Sequence, residues 1–273
     1  MPQPFGLQDV RLLPGPFHQA QQAHGVRLLA VQPDALLHPW RARAGLARRS
    51  ALPHGGAWDL GPYLSACAAM WAATANPAFR QRVAHLSGVL LQCGPVLDDG
   101  ERRALVTGLQ DVVRHVAVPA AQALLEQWAA AAPPDQAAPG GDTDDPARYG
   151  ELVYRHDEEA LYVDRYIASV LHWPALGLRL RQLANCPEQG TARILLQAAD
   201  QSRLVVRLRQ PGWCPRAVVS VNGRTCAEGR QPGAFIEIHR PWRRGDEIAV
   251  QLPLRAPRSP LAPRRRVLSL LPE

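Results

Sequence analysis

Apolar residues in the first third of the chain recur at helical spacing. Val10, Leu12 and Leu13 form an extended lead-in that stops at Pro14-Gly15-Pro16. Phe17, Ala20, Val26, Leu28 and Leu29 then predict a first helix. Pro33-Asp34 opens a further turn, followed by Leu36-Leu37-His38-Pro39-Trp40. A third helix is expected over 63–74. A fourth should start at Asn76-Pro77 and reach Leu91, with Phe79, Val83, Leu86, Val89 and Leu90 along one face. One long helical run is expected over 101–131, broken or kinked at Pro119.

The pattern then changes. Residues 132–146 read A-P-P-D-Q-A-A-P-G-G-D-T-D-D-P, with no apolar face, which is the composition of a linker. Beyond it the apolar runs are short and often alternate: Leu161–Val163, Tyr166-Ile167, Ala192–Gln197, Leu204–Leu208, Val218–Val221, Phe235–Ile238 and Ile248–Leu252. Pro211-Gly212, Asn222-Gly223 and Gly245-Asp246 punctuate them. Asn222-Gly223 is the strongest hairpin signal, because both residues tolerate the positive φ of a type I′ turn. The expected fold is α+β: a helical part followed by an antiparallel β-sandwich. The expected divisions are 1–96 helical, 97–148 helix and linker, 149–257 sandwich, and 258–273 an Arg- and Pro-rich tail.

Composition narrows the function classes. With 273 residues and 47% hydrophobic content, the chain can bury a real core. All 31 basic residues are arginine, and the net charge is +7. The arginines are scattered rather than gathered on one helix, so a nucleic-acid partner is not expected. No apolar stretch is long enough to span a membrane, so no membrane partner is expected either. The five cysteines, Cys67, Cys93, Cys186, Cys214 and Cys226, are odd in number and far apart. They make no C-x-x-C pair, so no local zinc signature is present. That pattern, with no signal peptide in the opening residues, predicts a reduced, cytoplasmic setting.

Several segments carry a family resemblance. L-Q-D-V-R-L-L-P-G-P-F (7–17), A-R-A-G-L (42–46), G-G-A-W-D (55–59) and G-P-Y-L-S-A (61–66) resemble the start of the β-L-arabinofuranosidase family of glycoside hydrolases. Leu161-Tyr162-Val163, L-R-Q-P-G-W (208–213), V-S-V-N-G (219–223) and R-P-W-R-R-G-D-E-I (240–248) resemble its β-sandwich region, in the same order. The resemblance implies an (α/α)6 barrel followed by β-sandwich structure, and activity on a plant-type arabinoside. It also implies a zinc ion held by a glutamate and cysteines, one of those cysteines being the nucleophile, with a second glutamate as acid/base. Those groups lie in an E-x-C-like and a C-C-containing segment of the later barrel helices, and this chain contains neither. Only about fifty residues separate Gly94 from Tyr149, where the family has most of its barrel. Pro62 stands where the family usually has histidine.

The expectation is therefore a truncated homologue with compromised catalysis, without catalytic residues or metal ligands of its own and without a bound cofactor. The alternative is a carbohydrate-binding or interaction module built on the sandwich. Trp58, Asp59 and Tyr63 are the candidate substrate-binding residues: an aromatic ring can stack on a sugar and a carboxylate can hold hydroxyls. Trp58 can equally be a packed loop residue. Asp157-Glu158-Glu159 reads as a turn, and Trp213 and Trp242 as core. Leu86, Val89 and Leu90, or the opposite face of their helix, are expected to be partly bare, which would favour self-association or a missing partner chain.

Overall fold

The computed structural model describes residues 1–46, 59–94, 99–129, 145–184, 190–198 and 204–253. The linker over 132–144 and the tail over 258–273 lie outside these residues. The chain divides into two compact units, one comprising Pro14–Gly150 and the other Met1–Leu13 with Glu151–Glu273.

Among the described residues the first unit carries six α-helices: α1 (Pro16–Ala30), α2 (Pro33–Arg43), α3 (Leu60–Thr74), α4 (Pro77–Cys93), α5 (Asp99–Val116) and α6 (Pro119–Ala129). Prolines open four of them, where a missing N–H costs nothing because the first turn has no partner for it. Asn76 caps α4 by accepting from the Ala78 N–H at 3.1 Å. The expected run over 101–131 is two helices, parted at Ala117, whose φ is 53°. Pro119 starts the second helix rather than kinking one long one.

Helix α3 is the centre of this unit. Tyr63, Leu64, Cys67 and Ala68 are fully buried, and the exposed positions are Pro62 in the first turn and Thr74 in the last. The face of α4 expected to be bare is covered at Leu86 and Leu90, while Leu91 beside it is exposed. Leu86 and Leu90 have no exposure, and Val89 is half-buried. The reason is packing: α4 lies against α2, α3 and α6, so α6, which follows residue 97, helps to cover it. No described helix is long and apolar enough to cross a membrane.

The second unit is a sandwich of two sheets. One has five strands in the order β1 (Gln3–Pro4), β3 (Tyr154–His156), β4 (Ala160–Val163), β8 (Val205–Arg209) and β11 (Phe235–His239). The other has seven, in the order β10 (Arg224–Gly229), β9 (Ala217–Val221), β12 (Glu247–Gln251), β7 (Thr191–Ala198), β6 (Leu178–Ala184), β5 (Ser169–Trp173) and β2 (Val10–Leu12). Pairing is antiparallel except between β4 and β8. The lead-in residues thus join the sandwich: Val10 pairs with Leu171 and Leu12 with Ser169. Tyr166-Ile167, expected as a strand, is an irregular crossing from β4 to β5, with the Tyr166 hydroxyl donating to the Arg209 carbonyl at 2.9 Å. Asn222-Gly223 is the expected hairpin turn, with φ of 51° and 76°.

Candidate functional site

The site question turns on the first two turns of α3, because the catalytic resemblance is densest there. Asp59 precedes the helix with extended backbone and is exposed; its carbonyl accepts the Tyr63 N–H at 3.0 Å. Pro62 is in the first turn and exposed. Its ring offers no hydrogen-bonding group where an imidazole would reach out. Trp58 lies outside the described residues.

The other positions of G-P-Y-L-S-A point inward. Gly61 sits where α3 crosses α5, and a Cβ there would lie 2.8 Å from the Leu105 N and closer still to the Ala104 carbonyl. Tyr63 is enclosed. Its hydroxyl donates to the Leu28 carbonyl at 2.8 Å and receives a hydrogen bond from Arg82 Nη1 at 3.0 Å. Arg82 also donates to the Val31 and Leu29 carbonyls at 2.5 and 3.1 Å, satisfying the end of α1. Tyr63 therefore joins α1, α3 and α4, and its ring has no solvent-facing edge to offer a sugar. Burial, with Cys67 beside it, pushes its phenol well above the usual range.

Ser65 faces α5. Its hydroxyl donates to Asp111 Oδ2 at 2.5 Å, and Arg148 Nη2 approaches the same oxygen at 2.6 Å. Asp111 and Arg148 are both largely buried. His115 lies near this pair; burial lowers its pKa, with Asp111 opposing and Arg148 and Arg114 adding to the effect. A glycosidase needs one carboxyl free to donate a proton and a second group opposite it. Asp111 instead already accepts from a guanidinium and a hydroxyl, which is the arrangement of a structural ion pair. Sequence reading missed Asp111, Arg148 and Arg82. For Asp111 a signal existed: it stands among Leu105, Leu109, Val112 and Val116, the apolar face of α5.

The thiols speak to the zinc centre that the resemblance implies. Burial pushes Cys67 up to about 12, despite the opposing effects of Tyr63 and Arg82. Burial also raises Cys93, Cys214 and Cys226. A reactive or metal-binding cysteine needs the opposite shift, toward the thiolate. Among the described residues no three His, Cys, Asp or Glu side chains gather as a metal site. The described residues therefore do not fit a thiolate zinc centre; Cys186 lies outside them.

Among the described residues the sandwich shows an apolar void and no convergent polar cluster beside it. A void of about 10 Å³ between its sheets is lined by Leu161, Val163, Leu178, Leu204, Trp242 and Ile248 without polar surface. It is a packing gap in the core, about the size of one water. Trp242 is fully buried, and its Nε1 donates to the Leu204 carbonyl at 2.7 Å. Asp157 holds the β3–β4 turn, accepting from the Glu159 and Ala160 N–H groups and from the Tyr162 hydroxyl.

Comparison with known proteins places this architecture. Residues 9–101 match the family model described as Beta-L-arabinofuranosidase, GH127 catalytic domain. Residues 160–254 match the model described as Beta-L-arabinofuranosidase, GH127 middle domain. No curated protein matches. A solved structure named as a GH127 beta-arabinofuranosidase is 9% identical, with a TM-score of 0.70 over 92% of this chain and 80% of that chain. At that identity the likeness speaks for the fold. A structure named as a glycoside hydrolase is 12% identical over 87% of this chain and 52% of that chain, with a TM-score of 0.38. A GH127 beta-L-arabinofuranosidase from Geobacillus stearothermophilus T6 is 16% identical over 71% of this chain and 41% of that chain, with a TM-score of 0.36. This chain thus spans about half or less of the length of those two. The two matched models cover more than half of the chain between them, and the chain belongs to the GH127 beta-L-arabinofuranosidase family.

Proposed function

We propose that this chain is a catalytically silent member of its glycoside hydrolase family, whose catalytic-domain residues serve as scaffold. The observation that carries the reading is the complete burial of Cys67 inside α3. Cys67, the cysteine next to the family's helix motif, is buried and held protonated up to about 12. The family's chemistry, as the resemblance implies it, calls for a thiolate on zinc. Two features of the motif helix support the same reading: Pro62 is exposed in place of the expected histidine, and Tyr63 is committed to Leu28 and Arg82.

A second reading, a carbohydrate-binding or interaction module that uses the sandwich, is favoured by Arg179, Arg181 and Arg193, exposed on the neighbouring strands β6 and β7. The four described cysteines are free, which supports a reducing, cytoplasmic setting for either reading.

Zinc content tests the silent reading. Elemental analysis of the reduced, purified protein should give far less than one zinc per chain. About one zinc per chain, lost on a Cys→Ser substitution, would overturn it.

A further inference from the structure

Strands β2, β5, β6 and β7 sit side by side in the seven-stranded sheet. Together they contain Arg11, His172, Arg179, Arg181 and Arg193 and not one Asp or Glu. Burial alternates along β6: Leu178, Leu180 and Gln182 face the core, while Arg179, Arg181 and Leu183 are exposed. The same alternation on β7 exposes Arg193 and Leu195.

Register places these side chains on one surface. Arg11 stands opposite Val170, Val170 opposite Arg181, and Arg181 opposite Leu195. Arg179 is opposite His172, and Arg193 is opposite Leu183. Arg193 meets a carboxylate only across the next strand, Glu247 on β12, with contacts at 3.0 and 2.5 Å. Among the described residues Arg179 and Arg181 have no carboxylate partner. They project from the same side of one strand, two residues apart, about 7 Å along it. Like charges held that close favour an anionic partner.

We propose that this face, centred on Arg179 and Arg181, binds an acidic polysaccharide through its uronate carboxylates. The proposal rests on reading the chain as a carbohydrate-family protein that keeps a binding role. A guanidinium offers a planar fork that takes a carboxylate in two parallel hydrogen bonds. Adjacent strands with outward guanidiniums suit an extended polymer that presents such groups in series. Leu183 and Leu195, exposed to 46% and 37%, supply apolar contact for ring C–H faces between the guanidiniums. The outward positions of these four strands carry no Trp, Tyr or Phe, which is the stacking platform that single-stranded nucleic acid uses.

Affinity electrophoresis of the full chain through gels containing sodium polygalacturonate tests the proposal. Neutral arabinan, poly-L-glutamate and duplex DNA serve as the other matrices. Polygalacturonate should retard the protein, with retardation falling as salt is added. The double variant Arg179→Gln/Arg181→Gln should bind it at least about tenfold more weakly, since charge-assisted hydrogen bonds of this kind are individually strong. An unchanged melting temperature shows the variant to be folded, and the milder single variant Arg181→Gln serves if the double one is not. Equal retardation of wild type and variant would overturn the proposal. So would poly-L-glutamate or DNA binding as tightly as polygalacturonate. Those results leave the zinc content and turnover of the chain untouched. Conversely, arabinoside turnover would sink the silent reading while leaving polygalacturonate binding in place.

Discussion

Gly61 and Gly108 meet backbone to backbone where α3 crosses α5: a Cβ on Gly108 would lie 3.0 Å from the Gly61 Cα and closer still to its carbonyl. The family-like motif on α3 therefore begins with a residue chosen by packing. Gly88, in the middle of α4, has nothing within 4 Å of its missing Cβ. The two sites should respond in opposite directions. Gly108→Ala should destabilise by about 1–3 kcal/mol or more, because backbone cannot move aside as a side chain can. Gly88→Ala should stabilise by about 0.5–1 kcal/mol through helix propensity. Urea denaturation of both variants checks this; equal and small effects would contradict the crossing.

The Asp111–Arg148 ion pair of the helical unit is largely buried, with side-chain exposures of 12% and 14%. Removing one partner leaves the other buried and uncompensated. Asp111→Ala should cost about 3–5 kcal/mol. Ser65→Ala removes only one donor to the carboxylate and should cost about 1.5–3 kcal/mol. A double-mutant cycle between Ser65 and Asp111 should show strong coupling, since both act through one oxygen. Additive losses would mean that the three groups are not one cluster.

Asp246 gives the sandwich an acid-sensitive joint. Burial would raise its carboxyl, but hydrogen bonds from Asn222 and the Arg243 N–H, with the charges of Arg240 and Arg243, outweigh that and hold it below the usual range. A folded value below the unfolded one means the carboxylate adds stability at neutral pH. That share is present above the unfolded value, about 3.9, and is lost as pH falls through the folded one. Asp246→Asn should lower stability at pH 7, and the gap to wild type should close as pH drops below about 4. Urea midpoints measured across that range check it. A constant gap at every pH would contradict the assignment.

Much of the fold was legible because local signals and tertiary structure agreed. Asn76-Pro77 announced α4 through a cap and a helix-starting ring, and both do that work. Asn222-Gly223 announced its hairpin through φ preference alone. Strand β6 was not anticipated, because the pattern is inverted at its end: Gln182 is the buried residue and Leu183 the exposed one. Gln182 can be buried because its amide donates to the Arg165 and Ile167 carbonyls, partners that no local pattern reveals. Tyr63 was a reasonable sugar contact from its motif. Only the packing of α1 and α4 shows that Leu28 and Arg82 already occupy its hydroxyl. Asp59 remains exposed, and among the described residues no side-chain partner assigns it a task.

The central claim is that the motif helix is scaffold rather than active site. Hydrolysis of an aryl β-L-arabinofuranoside by freshly reduced protein, with zinc added, tests it most directly. Groups that act as one catalytic unit lose most of their rate together, so a partial set leaves little. Substrate release should stay at the buffer rate in every column fraction that contains folded protein, and Pro62→His should not restore it. Turnover that co-elutes with the folded chain and disappears when one of its five cysteines is replaced would contradict the account.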